Sequence, residues 1–320
     1  MDPSDPVLVE VVRSGWVESV HRGRVVVLDA EGRTTTDLGA VADAVLLRSC
    51  AKPLQALALV KAGWDPPPDQ LALACASHDG SEEHVAVVRR TLADAGLSED
   101  DLGNAAGYAL DPEAGAYQRV TEGPDRIHHN CSGKHAGMLA TCRARSWPIE
   151  GYLEPGHPLQ EAIGMTIEQL TGARASHTAI DGCGAPIVSV PLSGLARAFA
   201  RLARGAPDTV EGRVADAMRQ HPELVGGERR SVTRLMRAVP GLIAKDGAEG
   251  AYVAALPDGR TVAVKIDDGA LRASEVVVAS AIAHLVGEDA PGVDLDLLAE
   301  VALPDVEGGG VPVGEIRSIV

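Results

Sequence analysis

Apolar and polar positions along the first forty residues run in short, Val-rich stretches. VLVEVV is followed by RVVVLDAEGR, whose Gly-containing turn leads into TTTDLG. β-Branched residues in such runs suit strands. After Pro53 the period changes: LQALALVKAG has helical character and stops at Gly63, a residue fitted to the position after a helix end. Ser81-Glu82-Glu83 predicts the start of a helix with Val85, Val88 and Leu92 on its apolar side, ending near Gly96. Helical spacing recurs in Leu159, Ile163, Ile167 and Leu170, in Leu192, Leu195, Phe199 and Leu202, and in Val210, Val214 and Met218. From Gly250 the strand pattern returns. AYVAAL, Pro257-Asp258-Gly259 and RTVAVKI predict a hairpin, and a last helix is expected from Ala273 to Val286. Pro-, Gly- and Asp-containing stretches near 65–69 and 288–293 read as loops.

The order is strands, a long helical middle, then strands and a helix. It predicts a single α+β domain over residues 1–320, with an antiparallel sheet drawn from both chain ends, about 1–80 and 245–320. The helical part is expected over about 81–244. No internal repeat is evident.

Composition narrows the function. Of the 320 residues only 2% are aromatic, so Ala, Val, Leu and Ile must fill the core and stacking platforms are disfavoured. The formal net charge of −16 repels phosphate backbones, which argues against nucleic acid and leaves a small polar substrate open. The acidic N-terminus lacks the parts of a signal peptide, and no apolar run reaches the roughly 18 residues of a membrane span. Five cysteines, odd in number and sparse, suit reduced thiols in the cytoplasm.

Four clusters carry candidate chemistry. In Arg48-Ser49-Cys50-Ala51-Lys52-Pro53, Ser49 and Lys52 share a face if the segment is helical, and Pro53 is tolerated only in a first helical turn. Ser49 is thus expected at a helix N-terminus, where N–H groups favour an alkoxide. S-x-x-K alone is common, and on the motif alone an N-cap serine beside a surface lysine is the simpler reading. Cys75-Ala76-Ser77-His78-Asp79-Gly80 follows the apolar run LALA, and a turn role for Ser77 or Asp79 is its simplest reading. His128-His129-Asn130-Cys131-Ser132-Gly133-Lys134-His135 is dense in ligand-capable side chains, and Cys183 in Asp181-Gly182-Cys183-Gly184 could join Cys131 and Lys134 at a metal. Buried structural thiols are the plainer account. On the last strand, Val262, Val264 and Ile266 alternate with Ala263, Lys265 and Asp267, which would put Lys265 on the face away from the core, as on an ordinary edge strand.

Taken in order, RSCAKPLQAL (48–57), ASHDGSEEHV (76–85), HHNCSGKHAGML (128–139), HPLQ (157–160), IDGCGAPIV (180–188), GAEGAYVAAL (247–256) and KIDDGALRA (265–273) resemble the class 3, rhizobial-type L-asparaginases. The resemblance implies a fold similar to serine β-lactamases and D,D-peptidases. It implies hydrolysis of L-asparagine to L-aspartate and ammonia by two Ser-Lys pairs, Ser49–Lys52 and Ser77–Lys265. It carries over Arg48, His135 and Asp181 as substrate-binding residues, zinc held by Cys131, Lys134 and Cys183, and a homodimer. A general base must be neutral, and burial or a neighbouring cation depresses a lysine's pKa, so two lysines and Arg48 in one pocket would favour the neutral amine. Three rival readings follow from the same residues: a β-lactamase-like peptidase or esterase, a non-catalytic zinc-binding protein, and a zinc amidohydrolase. Activity on asparagine against a β-lactam or an ester separates the first, and the effects of serine substitution and metal removal separate the other two.

Overall fold

The structure is a computed structural model describing residues 5–287 and 290–320; residues 1–4 of the acidic start and 288–289 of the expected loop lie outside the described residues. The Val-rich start forms β1 (Val7–Arg13), β2 (Trp16–Leu28) and β3 (Thr34–Leu38), with a short β4 (Ala44–Leu46) after them. A 3₁₀ turn, Arg48–Ala51, leads into α1 (Lys52–Lys61) and then α2 (Pro68–Ala74), α3 (Glu82–Asp94) and α4 (Pro112–Thr121). The middle continues with α5 (Ser132–Arg145), α6 (Pro158–Thr171), the strands β5 (His177–Ile180) and β6 (Pro186–Pro191), and α7 (Leu192–Ala203). After α8 (Val210–Gln220), α9 (Pro222–Gly226) and α10 (Ser231–Ala238) come β7 (Ile243–Gly247), β8 (Ala251–Ala255) and β9 (Thr261–Ile266). The chain closes with α11 (Leu271–Val286), α12 (Leu295–Ala302), β10 (Asp305–Gly308) and β11 (Val311–Ser318).

These elements divide into two compact units, one of residues 1–50, 190–204 and 231–320, the other of residues 51–189 and 205–230. The first is a sheet unit. Its strands run in the order β10-β11-β1-β2-β9-β8-β7, with β3 also on β2, and every pairing is antiparallel. The two chain ends meet in it, with Val9 opposite Ser318. The sheet built from both ends is therefore as expected, but its first contribution stops at residue 50 rather than near 80.

The expected alternation on β9 fails for a physical reason. β9 lies between β2 and β8, and both α7 and α11 pack on it. Val262, Ala263 and Val264 are all fully buried, so the strand is covered on both faces and is not an edge. Lys265, at its end, is only half-buried.

The second unit is mainly helical. α5 threads between α1, α2 and α3 because two of its residues lack side chains where neighbours approach. A Cβ on Gly133 would stand 2.6 Å from Leu73 Cγ, and one on Gly137 would stand 3.0 Å from the Trp64 ring. This close packing fixes the start of α5, where Cys131 and Lys134 sit. The β5–β6 hairpin, with His177 opposite Ser189, carries Asp181 and Cys183 in its turn, and Gly184 takes a φ of 92° there.

Candidate active site

In the sheet unit the first cluster is folded differently from expectation. Pro53 does fall in the first turn of α1, but the helix begins at Lys52 with Ala51 as its N-cap residue. Ser49 lies one turn earlier, in the 3₁₀ segment, so the dipole of α1 does not start at its hydroxyl. The three-residue spacing to Lys52 is the period of that 3₁₀ backbone. Arg48 holds a φ of 48°, a left-handed conformation that costs a non-glycine residue about 1–3 kcal/mol and clusters at functional sites.

Ser49 is braced by the edge strand β7. A Cβ on Gly247 would stand 3.3 Å from the backbone nitrogens of Ser49 and Cys50 and 3.2 Å from Cys50 Sγ. Cys50 donates its thiol hydrogen to the Lys245 carbonyl at 3.3 Å, and burial pushes its pKa up to about 12. It is a protonated structural thiol, unsuited to attack at neutral pH. Lys245 itself is fully buried and paired with Asp246 at 2.5 Å. Gly247→Ala should therefore move the Ser49 backbone by a few tenths of an ångström. With Ser49 as the candidate nucleophile, the expected result is a fall in kcat/KM of about 10- to 100-fold with little change in melting temperature, because misplacing a reacting group is costly; unchanged kinetics would show that β7 does not set its position.

Arg48 and Lys265 line one cleft of the sheet unit, together with Arg24, Glu249 and Asp267. Burial depresses the Lys265 pKa, against the opposing pull of Asp267 and Glu249. Its ammonium donates to the carbonyl of Ile266.

In the helical unit Lys52 is 1% exposed and its Nζ donates to the Ala76 carbonyl at 2.6 Å, Ser77 Oγ at 3.1 Å and the Asn130 carbonyl at 3.2 Å. Ser77 is buried, and its N–H donates to the Val225 carbonyl at 3.0 Å. Its neighbours brace it: His78 Nε2 lies 2.8 Å from Ser132 Oγ, and His84 Nδ1 lies 2.8 Å from Asp79 Oδ1. Thus Ser77 and Lys52, 25 residues apart, are hydrogen-bonded.

The third cluster and the β5–β6 turn converge next. Lys134 Nζ lies 3.1 Å from Cys183 Sγ, and both residues are almost fully buried. Cys131 is held well below the usual thiol range by its hydrogen bond with Cys183, and the Lys52 and Lys134 ammoniums add to this against the effect of burial. Cys183 is pushed up by the same Cys131 partner and by burial. Burial works against the Lys134 ammonium, but Cys131 and Cys183 outweigh it and raise its pKa. Asp181 Oδ2 stands 3.9 Å from Cys183 Sγ. His135, fully buried, places Nδ1 2.7 Å from the Tyr152 hydroxyl, which also accepts from the Gly103 N–H at 2.9 Å. Burial lowers the His135 pKa to about 4, so the ring is neutral at pH 7. Among the described residues its Nε2 has no hydrogen-bond partner.

Among the described residues, no three His, Cys, Asp or Glu side chains gather as a metal shell, and the expected zinc set has an amine, Lys134, as its third donor. The donor set nevertheless suits zinc: Cys183 is hydrogen-bonded to both Lys134 and Cys131, and a metal ion could take the place of the shared protons. Sequence reasoning did not single out Tyr152, Glu249, Gly247 or the Asn130 carbonyl. Each matters through a contact made across the fold; Asn130 and the glycine and glutamate of GAEG stood inside noted segments, and Tyr152 stood in none.

Comparison with known proteins adds the family. No curated protein sequence matches the chain significantly. Among solved structures, a β-lactamase from Mycobacterium bovis is similar over 82% of this chain and 93% of its own, at 16% identity and a TM-score of 0.45. At that level the α+β assignment rests on the sheet itself. The family model described as L-asparaginase II matches residues 9–318, from the first strand to the last, and the chain belongs to that family.

Proposed function

We propose that the protein is an L-asparaginase that hydrolyses L-asparagine to L-aspartate and ammonia through Ser49, with Lys52 as its base. Membership of the L-asparaginase II family supports the amide substrate. The observation that carries the chemistry is a buried lysine amine held against a serine hydroxyl, three residues beyond a second serine. Ser49 Oγ attacks the side-chain amide carbon, and its proton passes by way of Lys52 to the amide nitrogen. The C–N bond breaks, ammonia leaves, and an ester to Ser49 remains. Water then adds to the ester carbon, its proton returns to Ser49 Oγ, and aspartate departs. Ser77 holds the Lys52 amine in place, and Lys265, its pKa depressed by burial, serves as the second amine. Zinc bound by Cys131, Lys134 and Cys183 would act as a Lewis acid that binds and orients the substrate's polar groups. Asp181 steadies that cluster through Cys183, and His135 stands beside it for the substrate; five cysteines outside any disulfide suit a cytoplasmic enzyme, which we take to work as a homodimer.

Ammonia release from L-asparagine by the purified protein tests the reading. We expect turnover, and chelation should raise KM far more than it lowers kcat, since a binding role is lost in ground and transition state alike. No ammonia from L-asparagine would refute the assignment. A kcat that vanishes on chelation, with the fold intact, would place the chemistry on the metal instead.

A further inference from the structure

Two stretches of chain receive the Lys52 amine in the helical unit. One offers the Ala76 carbonyl and the Ser77 hydroxyl, the other the Asn130 carbonyl. All three contacts survive only while the two stretches keep a fixed separation. Two residues past Ala76 stands His78, and two past Asn130 stands Ser132. His78 Nε2 and Ser132 Oγ are 2.8 Å apart, and both residues are fully buried. Beside them a Cβ on Gly133 would lie 2.7 Å from the Leu73 carbonyl oxygen, so a glycine lets α5 come close to the end of α2.

Counting protons gives the His78–Ser132 bond a direction. Ser132 has one hydroxyl proton and donates it to the Ile127 carbonyl at 2.7 Å, an oxygen that can only accept. Towards His78 the hydroxyl therefore accepts, which assigns a proton to Nε2. Burial above all, and then His84 and Lys52, hold the His78 pKa well below the usual histidine range, so the ring is neutral and Nδ1 is bare. Nδ1 is buried and has no hydrogen-bond partner among the described residues. The bond to Ser132 is thus the one polar contact orienting this ring among those residues, while its face stacks on His84 with centroids 5.1 Å apart.

Building on the asparaginase reading, we propose that His78 is a positioning residue, a clasp that donates from Nε2 to Ser132 and so holds the two stretches around the Lys52 amine. It reaches the reaction only through Lys52. Loss of the clasp lets the Asn130 carbonyl drift from Ala76 and Ser77, and the amine follows one side or the other. The proton transfer then suffers, while contacts to the bound substrate stay as they are.

Two amide substitutions separate the donor from the bulk of the ring. Glutamine places its nitrogen near the position of Nε2, and asparagine places its own near Nδ1. His78→Gln should keep kcat for L-asparagine within about threefold, whereas His78→Asn should lose about 10- to 100-fold, with KM within about twofold in both. Ser132→Ala should match His78→Asn, and the double variant should be no worse than either alone, since one bond is lost in each case. Two readouts do not depend on turnover. Nitrogen-15 spectra of histidine-labelled protein should show the ring that vanishes in His78→Gln with its proton on Nε2 and a bare Nδ1. Crystal structures should show Lys52 keeping all three acceptors in His78→Gln and losing at least one in His78→Asn. Equal kcat in the Gln and Asn variants, additive losses with Ser132→Ala, or a proton on Nδ1 overturns the proposal. Should the wild-type protein release no ammonia, the asparaginase reading fails by itself. The clasp is then judged on the spectra and structures: a proton on Nε2 with Lys52 displaced in His78→Asn upholds it, and an undisturbed Lys52 overturns it. If His78→Asn does not fold, Ser132→Ala and the wild-type ring nitrogens decide in the same way.

Discussion

Ser49→Ala is expected to lower asparagine turnover by about 10³- to 10⁶-fold in a protein that remains folded. Removing a covalent nucleophile leaves only binding and charge stabilisation, which retain a small residue of the rate. Folding should be spared because Ser49 lies in a short 3₁₀ turn and is not the N-cap of α1, so no capping bond is lost. Mass spectrometry of quenched wild-type reactions should place the aspartyl ester on the peptide containing Ser49. A folded Ser49→Ala protein with near-wild-type turnover would sink the assignment. An ester found on Ser77 would transfer the nucleophile to the serine that Lys52 already touches.

Lys52→Met should be the second severe loss, and it should damage stability as well as rate. The amine that accepts the serine proton disappears. So does the only cation donating at once to Ala76, Ser77 and Asn130 among the described residues. Ala76 is fully buried, and leaving its carbonyl without a donor costs about 1–3 kcal/mol. For a chain of this size that corresponds to a fall of several degrees in melting temperature. Lys52→Arg separates the two effects: a guanidinium restores a donor but cannot become neutral, so it should recover part of the stability and none of the rate. Wild-type turnover in folded Lys52→Met would mean that the base lies elsewhere.

Much of the fold was legible because local and global preferences agree. The Val-rich runs of β1 and β2, the LQALALVKAG helix, and the AYVAAL–RTVAVKI hairpin each form where their own residues favour them. β10 and β11 were missed because PDVEGGGVPVGEIRS has too much Gly and Pro, and too little burial, to announce strands. They are strands because β1 supplies β11 with a partner, and β11 in turn supplies one to β10. β5 was missed likewise, being four mostly exposed residues paired with β6. At the candidate site, spacing singled out Ser49, Lys52, Cys131 and Lys134 only as candidates. It could not locate the start of α1 one residue before Pro53, because nothing local distinguishes a 3₁₀ turn from an α-helical one there. Nor could it find the Lys52–Ser77 bond, the Tyr152 hydroxyl behind His135, or Glu249 opposite Arg48. Those depend on packing of α5 on α2 and on the β7–β8 turn, both non-local facts.

The pairing of Val9 with Ser318 has a consequence for synthesis. A ribosome releases β1 long before β11, so one side of β1 has no hydrogen-bonding neighbour while the chain between them emerges. At roughly 5–20 residues per second that interval is on the order of 15–60 s. β2 can protect the other side early, but the open side is a Val-rich strand edge of the kind that recruits strands from other molecules. The nascent chain is therefore most exposed to aggregation during translation, and the yield of native protein should depend on chaperones that shield β1 until β11 arrives.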